Sequence, residues 1–157
     1  MDLDKFVLHR AVDADAEAVT ACVHNAFHHY VERIGRKPGP MLMDYAQEIR
    51  AHQVWVVKAN ECIAGILVLC IKDEGFLLDV IAVEPSHQGI GVGRLLLEFA
   101  ESEARRQGFT SIYLYTHEKM IENQTLYKKI GYVEYDRRFE LGLARVFMRK
   151  QLDGMNL

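Results

Sequence analysis

Three glycines alternate in Gln88-Gly89-Ile90-Gly91-Val92-Gly93, between an apolar run that ends at Val83 and an amphipathic stretch that starts inside the turn. Glycine lets the main chain approach a ligand closely and adopt φ angles that a Cβ disfavours. A helix beginning there offers unpaired N–H donors and a partial positive charge. Together these form a seat for an anion, and a pyrophosphate suits it. No lysine is needed, because the main chain supplies the donors. Two nucleotide motifs fail on spacing: no GxxxxGK followed by Ser or Thr occurs, and the glycines read GxGxG rather than GxGxxG. A Rossmann turn would also follow the first strand, whereas this one follows the fourth. The bland alternative is a tight loop without a ligand.

Asp79 is the second chemical candidate. It interrupts the apolar run FLLDVIAV (76–83), and burial there raises a carboxyl pKa toward the range of a general base. The alternative is a strand-edge residue facing solvent. The three cysteines, Cys22, Cys62 and Cys70, share no metal-ligand spacing. Cys62 and Cys70 lie in an apolar run and read as inert core thiols. Adjacent His28 and His29 point to different faces of a helix. No structural metal is expected.

These residues need elements to hold them. FVLHR (6–10) reads as a strand. Asp13 or Asp15 caps a helix whose stripe is Ala18, Val19, Cys22, Val23, Ala26, Phe27 and Tyr30. RKPGPM (36–41) is a loop, and MLMDYAQEIR offers a shorter helix. VWVVK (54–58) and CIAGILVLCIK (62–72) form a hairpin, and a turn at KDEG leads into the strand 76–83. The strongest helix runs from about Gly91 to Gln107, with Leu95, Leu96, Phe99, Ala100 and Ala104 on one face. Glu101 and Arg105 pair on its outside, and Gly108 closes it. SIYLYTH (111–117) is a strand and IENQTLYKKI (121–130) a helix closed by Gly131. YVEYDRRF (132–139) and RVFMRKQL (145–152) form a hairpin through Gly142. The order β-αα-βββ-α-β-α-ββ predicts an α/β (α+β) fold. Its mixed, mostly antiparallel sheet of six to seven strands is flanked by about four helices.

The turn now becomes recognisable. Gln88-Gly89-Ile90-Gly91-Val92-Gly93 resembles the (Arg/Gln)-x-x-Gly-x-(Gly/Ala) signature of the GCN5-related N-acetyltransferase (GNAT) superfamily. IAVEP matches the strand leading into that signature, and LYTHEKMIENQTLYKKIGYVEYDRR resembles the following strand, helix and Tyr-x-x-x-Gly-(Phe/Tyr) element. The likeness is strong over 76–133, and the whole chain, 1–157, has the order and length of one such domain.

The resemblance implies acetyl-coenzyme A as co-substrate and an amine as acceptor. Main-chain groups of Gln88, Gly89, Ile90, Gly91, Val92, Gly93 and Arg94 would hold the pyrophosphate. Ile81, Ala82 and Val83 would run beside the pantetheine, with a main-chain N–H there polarising the thioester carbonyl. Asn123 and Tyr127 would face the far end of the pantetheine and the sulfur. Tyr127, four residues before Gly131, occupies the family's acid position, and a phenol can return a proton to a departing thiolate. Otherwise it is a core tyrosine beside Leu126 and Ile130. Where the superfamily often has asparagine, seven residues before the tyrosine, Met120 stands here. Asn123 takes over a polar contact to the cofactor or caps its helix. Asp79 is the candidate base, with His117 and Glu118 at the end of the next strand. For the acceptor, HHYVERIGRKPGPM (28–41) supplies His28, Tyr30, Arg33, Arg36 and Lys37, with Tyr45 beyond. Its alternative is a solvated basic loop.

Composition bounds these readings. A chain of 157 residues is one domain by length, and at this size it buries roughly two thirds of its unfolded surface. Hydrophobic residues make up 50% and charged residues 26%, which excludes disorder. Net charge −3 argues against a nucleic-acid binder. No apolar window reaches membrane-spanning length, and the start MDLDKFVLHR lacks the basic, then apolar, pattern of a signal peptide. A cytoplasmic protein without nucleic-acid or membrane partners is expected. The C-terminal strands offer edges for a homodimer. The competing function is a non-catalytic acyl-coenzyme A sensor that keeps the seat and has no use for an acid at the sulfur.

Overall fold

A computed structural model describes residues 5–153. Its strands are β1 (Phe6–Arg10), β2 (Val54–Ala59), β3 (Cys62–Lys72), β4 (Gly75–Val83), β5 (Ser111–His117), β6 (Val133–Glu140) and β7 (Leu143–Gln151). Its helices are α1 (Ala16–Phe27), α2 (Tyr30–Ile34), α3 (Tyr45–Arg50), α4 (Val92–Arg106) and α5 (Ile121–Lys129). The strands are hydrogen-bonded in the order β1-β2-β3-β4-β5-β7-β6. Strands β4 and β5 run parallel, and β1·β2, β2·β3, β5·β7 and β6·β7 run antiparallel. This is the mixed, mostly antiparallel sheet read from the sequence. The chain divides into two compact units, the first running to Leu69 and resuming over Val80–Phe99, the second comprising Cys70–Asp79 and the chain from Ala100 on.

In the first unit, α1 buries Val19, Cys22, Val23 and Phe27 as one stripe. The helix stops at Phe27, and Tyr30 opens α2, which ends at left-handed Gly35. The expected single helix through Tyr30 is therefore two. Neither Asp13 nor Asp15 caps α1 through its side chain. Asp15 is buried; it accepts the Val12 N–H at 2.9 Å and pairs with Lys58 Nζ at 2.9 Å. A carboxylate with a cation and an N–H to bind is worth more there than at a solvated cap. Asp44 does cap α3, accepting the Gln47 N–H at 3.2 Å. Cys62 is exposed, which corrects its reading as a core thiol, while Cys22 and Cys70 are buried. Trp55 packs on Phe99, ring centres 4.7 Å apart. Gly65 sits where a Cβ would lie 3.0 Å from Val92 and Leu96 and 3.1 Å from the Ala82 carbonyl. Its missing side chain lets α4 close on β3.

In the second unit, β7 pairs with β5 from Ser111↔Gln151 to His117↔Arg145. The parallel β4·β5 ladder joins Phe76, Leu77 and Leu78 to Ile112, Tyr113 and Leu114. Cys70, Leu77, Tyr113 and Phe147 form a buried cluster with Tyr115 against it. Ala100 and Ala104 of α4 are fully buried. Glu101 does pair with Arg105, at 3.7 Å, but it is largely covered and binds Lys150 Nζ at 3.0 Å. It is therefore not on the outside. Gly108 closes α4 and Gly131 follows α5, both at positive φ. Among the described residues no helix is long and apolar enough to cross a membrane.

Candidate functional site

The end of β4 is held firmly in the first unit. The Glu84 N–H donates to Ala64 O at 2.8 Å, and Glu84 Oε1 accepts from Asn25 Nδ2 at 2.9 Å. Beside that carboxylate the buried Cys22 thiol is pushed up to about 12, by desolvation first and then by Glu84, which makes it unreactive. A single 3-10 turn, Pro85–His87, leads to Gln88. The Gln88 N–H reaches Pro85 O at 3.3 Å, and its side-chain amide donates to Val83 O at 3.3 Å. Gly89 and Gly91 follow at φ 80° and 103°. A Cβ on Gly89 would meet nothing within 4 Å, so backbone conformation rather than crowding demands glycine there. The first helical bond runs from the Leu95 N–H to Gly91 O at 3.0 Å. Among the described residues, the N–H groups of Gly89, Ile90, Gly91, Val92, Gly93 and Arg94 find no main-chain acceptor. The Arg94 side chain turns along the helix to Glu98 at 2.9 Å. What remains is a run of amide donors at the N-terminus of α4, preceded by Ile81, Ala82 and Val83.

The second unit gathers polar groups on one sheet face. Tyr115 OH donates to Asp79 Oδ1 at 3.0 Å. Desolvation raises the Asp79 pKa, opposed by the Tyr115 hydrogen bond and by Lys72 and Arg145. The Tyr115 phenol is itself pushed up, by burial first and then by the Asp79 charge. The Arg145 guanidinium lies 4.5 Å over the Tyr115 ring, and Arg145 is the β7 partner of His117. His117 Nδ1 accepts the Lys119 N–H at 3.0 Å, which fixes the Nε2–H tautomer. Desolvation lowers its pKa, helped by Lys119 and Arg145 and opposed by Glu118. Glu118 is exposed, 3.9 Å from Arg137. Tyr115 and Arg145 escaped the sequence reading. Alternation along SIYLYTH places Tyr115 on the face of Tyr113 and His117, but nothing local reveals that Asp79 lies alongside.

Tyr127 is buried, its ring edge-on to Tyr132 at 5.7 Å. Buried Gln124, also unforeseen, sets the helix that carries it, donating to Glu118 O at 2.8 Å and His117 O at 3.3 Å. Met120, not Asn123, is the N-cap residue of α5 and makes no side-chain cap bond. Asn123 is half-buried, with Nδ2 3.6 Å from Met120 Sδ. The capping alternative for Asn123 is thereby excluded.

The proposed acceptor residues spread over α1 to α3. His28 is exposed and stacked on His24, ring centres 5.6 Å apart. The two are four apart, His24 on α1 and His28 at its C-cap, a pairing that the adjacency of His28 and His29 hides. Tyr30 is buried, with the Arg33 guanidinium 5.0 Å over its ring. Arg36 and Lys37 are exposed. Tyr45 is buried and donates to Pro40 O at 2.6 Å. Tyr45 also lines an open groove of about 680 Å³ with Glu17, His24, Asn25, Met43 and Asp44. Among the described residues no three His, Cys, Asp or Glu side chains gather as a metal site.

Residues 50–134 match the family model "Acetyltransferase (GNAT) domain". No curated protein matches the chain. Many solved structures share its fold. PaiA N-acetyltransferase from Thermoplasma acidophilum, solved in complex with coenzyme A, is 17% identical with a TM-score of 0.77, covering 93% of this chain and 98% of its own. A GNAT-family acetyltransferase from Staphylococcus aureus Mu50 is 17% identical with a TM-score of 0.77, over 94% of this chain and 99% of its own. yncA from Salmonella typhimurium, solved with acetyl-CoA, is 23% identical with a TM-score of 0.68, over 98% of this chain and 97% of its own. At such identities these likenesses speak for the fold, whereas the family model spans more than half of the sequence, including the glycine turn and Tyr127: the chain belongs to the GNAT family of acetyltransferases.

Proposed function

We propose that the protein transfers an acetyl group from acetyl-coenzyme A to a primary amine by direct attack. One observation carries this reading: among the described residues, the amides of residues 89–94 have no main-chain acceptor at a helix N-terminus where two glycines hold positive φ. Donors in that state suit a pyrophosphate. Coenzyme A or acetyl-coenzyme A in two structural relatives supports the same ligand. Ile81, Ala82 and Val83 run along the pantetheine, and Asn123 contacts its far end.

The chemistry needs few side chains. The neutral amine attacks the thioester carbon, a C–N bond forms, and the carbonyl oxygen becomes an oxyanion that a β4 N–H stabilises. Collapse breaks the C–S bond. Tyr127 gives its proton to the departing thiolate and regains one from solvent. Asp79 takes the proton that the amine nitrogen sheds. The raised Asp79 pKa makes it a better acceptor than an ordinary carboxylate. His28, Tyr30, Arg33, Tyr45 and His117 are assigned to the acceptor side.

The test is thiol release from acetyl-coenzyme A with a panel of amines, wild type against Tyr127→Phe. Loss of a general acid costs about 10²–10⁴ in kcat, and coenzyme A affinity should fall far less. Equal losses in both would make the hydroxyl a binding or packing group. Tight coenzyme A binding without turnover of any amine would make the protein a sensor.

A further inference from the structure

Three guanidiniums lie over aromatic rings in the second unit: Arg138 over Phe147 at 4.0 Å, Arg145 over Tyr115 at 4.5 Å and Arg149 over Tyr113 at 5.0 Å. Two of them are hydrogen-bonded within the unit. Arg138 donates to Asp136 and to both oxygens of Glu74. Arg149 donates to Ser111 Oγ and Glu74 O, both at 2.9 Å. Arg145 differs. Its side chain is only 13% exposed, yet among the described residues it makes no hydrogen bond. Its one ion pair among the described residues is a long one, Glu140 Oε2 3.6 Å from Nη1, to a side chain that is 41% exposed. A guanidinium carries five donors in a planar fork, and one long ion pair to an exposed carboxylate engages few of them. The arrangement fits a site whose anion arrives from outside.

The neighbours say what that anion belongs to. Tyr115 joins Arg145 to Asp79: the cation lies over the ring, and the carboxylate is 3.0 Å from the hydroxyl of the same side chain. Opposite charges are thus presented about one phenol apart. We propose that Arg145 binds a carboxylate of the acceptor while Asp79 takes its amine, so that the acceptor is a free amino acid rather than a simple amine or a protein. The fork of Arg145 matches a carboxylate in geometry. This inference rests on the reading of Asp79 as the base.

The experiment uses amino acids alongside their amides and decarboxylated amines, with acetyl-coenzyme A as donor. Wild type should favour the carboxylate-bearing member of each set by about tenfold to a hundredfold in kcat/KM, the worth of a charged hydrogen-bonded contact. In Arg145→Met that ratio should collapse toward one, chiefly through KM, and Arg145→Lys should keep part of it. Coenzyme A affinity checks that each variant is folded. Equal use of the amides by wild type, an unchanged ratio in Arg145→Met, or acetylation of protein amines alone would overturn the proposal. If no amine is acetylated at all, the transfer reading fails by itself. Calorimetric binding of amino acids to the coenzyme A complex then decides: binding lost in Arg145→Met upholds the recognition, and no binding overturns it.

Discussion

As the proposed base, Asp79 trades stability against chemistry. Desolvation raises its pKa, and the Tyr115 hydroxyl, Lys72 and Arg145 recover only part of that shift. A carboxyl whose folded pKa lies above its unfolded value contributes fully below the unfolded pKa and loses that contribution as pH rises through the folded one. Above the unfolded pKa the buried carboxyl therefore works against the fold. Asp79→Asn should melt higher than wild type at pH 7, with the gap closing as pH falls through the carboxyl range. The same substitution should lower acetylation by about 10² or more. Melting curves at several pH values, paired with thiol-release rates, check both signs. That Asp79 is special was legible from its apolar neighbours. That Tyr115 donates to it was not, because the contact joins residues 36 apart in sequence.

At the scale of elements, the glycine turn owes its position to β3 as much as to its own sequence. Gly65 admits Val92 and Leu96 to van der Waals contact, and its Cβ would also press on the Ala82 carbonyl at 3.1 Å. Gly65→Ala should cost about 1–3 kcal/mol, measured by urea denaturation. Because Val92 opens α4, the variant should also bind coenzyme A more weakly, which a surface substitution of equal stability cost would not do. The course of α4 could be read from its sequence, since its apolar stripe and terminal glycine are local signals. The start of α1 could not. Asp15 has the composition of a cap, and Lys58, brought in by β2, draws its carboxylate away. The break between α1 and α2 was hidden for a similar reason: Tyr30 keeps the apolar period of α1 across it.

At the scale of the molecule, cofactor binding and folding are linked. A ligand that binds only the folded chain stabilises it by mass action. Coenzyme A at about 100 times its Kd should add ~2.7 kcal/mol, a rise of about 5–10 °C in melting temperature for a domain of this size. Gly91→Asp should abolish that rise, because a side chain at φ 103° is strained and its charge repels phosphate. An undiminished rise in the variant would remove the amide row from cofactor binding.

The sequence alone determined the succession of strands, the glycine turn and the helix that carries Tyr127. Each is written in short-range terms: apolar period, turn residues and motif spacing, which act over a few positions of chain. Only the tertiary structure decided that, among the described residues, the turn's amides find no main-chain acceptor, that Glu101 pairs with Lys150, and that Asp79, Tyr115 and Arg145 share one face. Those facts depend on strand register and on which distant side chains compete for a hydrogen bond, and both are set by packing across the sheet rather than by neighbours along the chain.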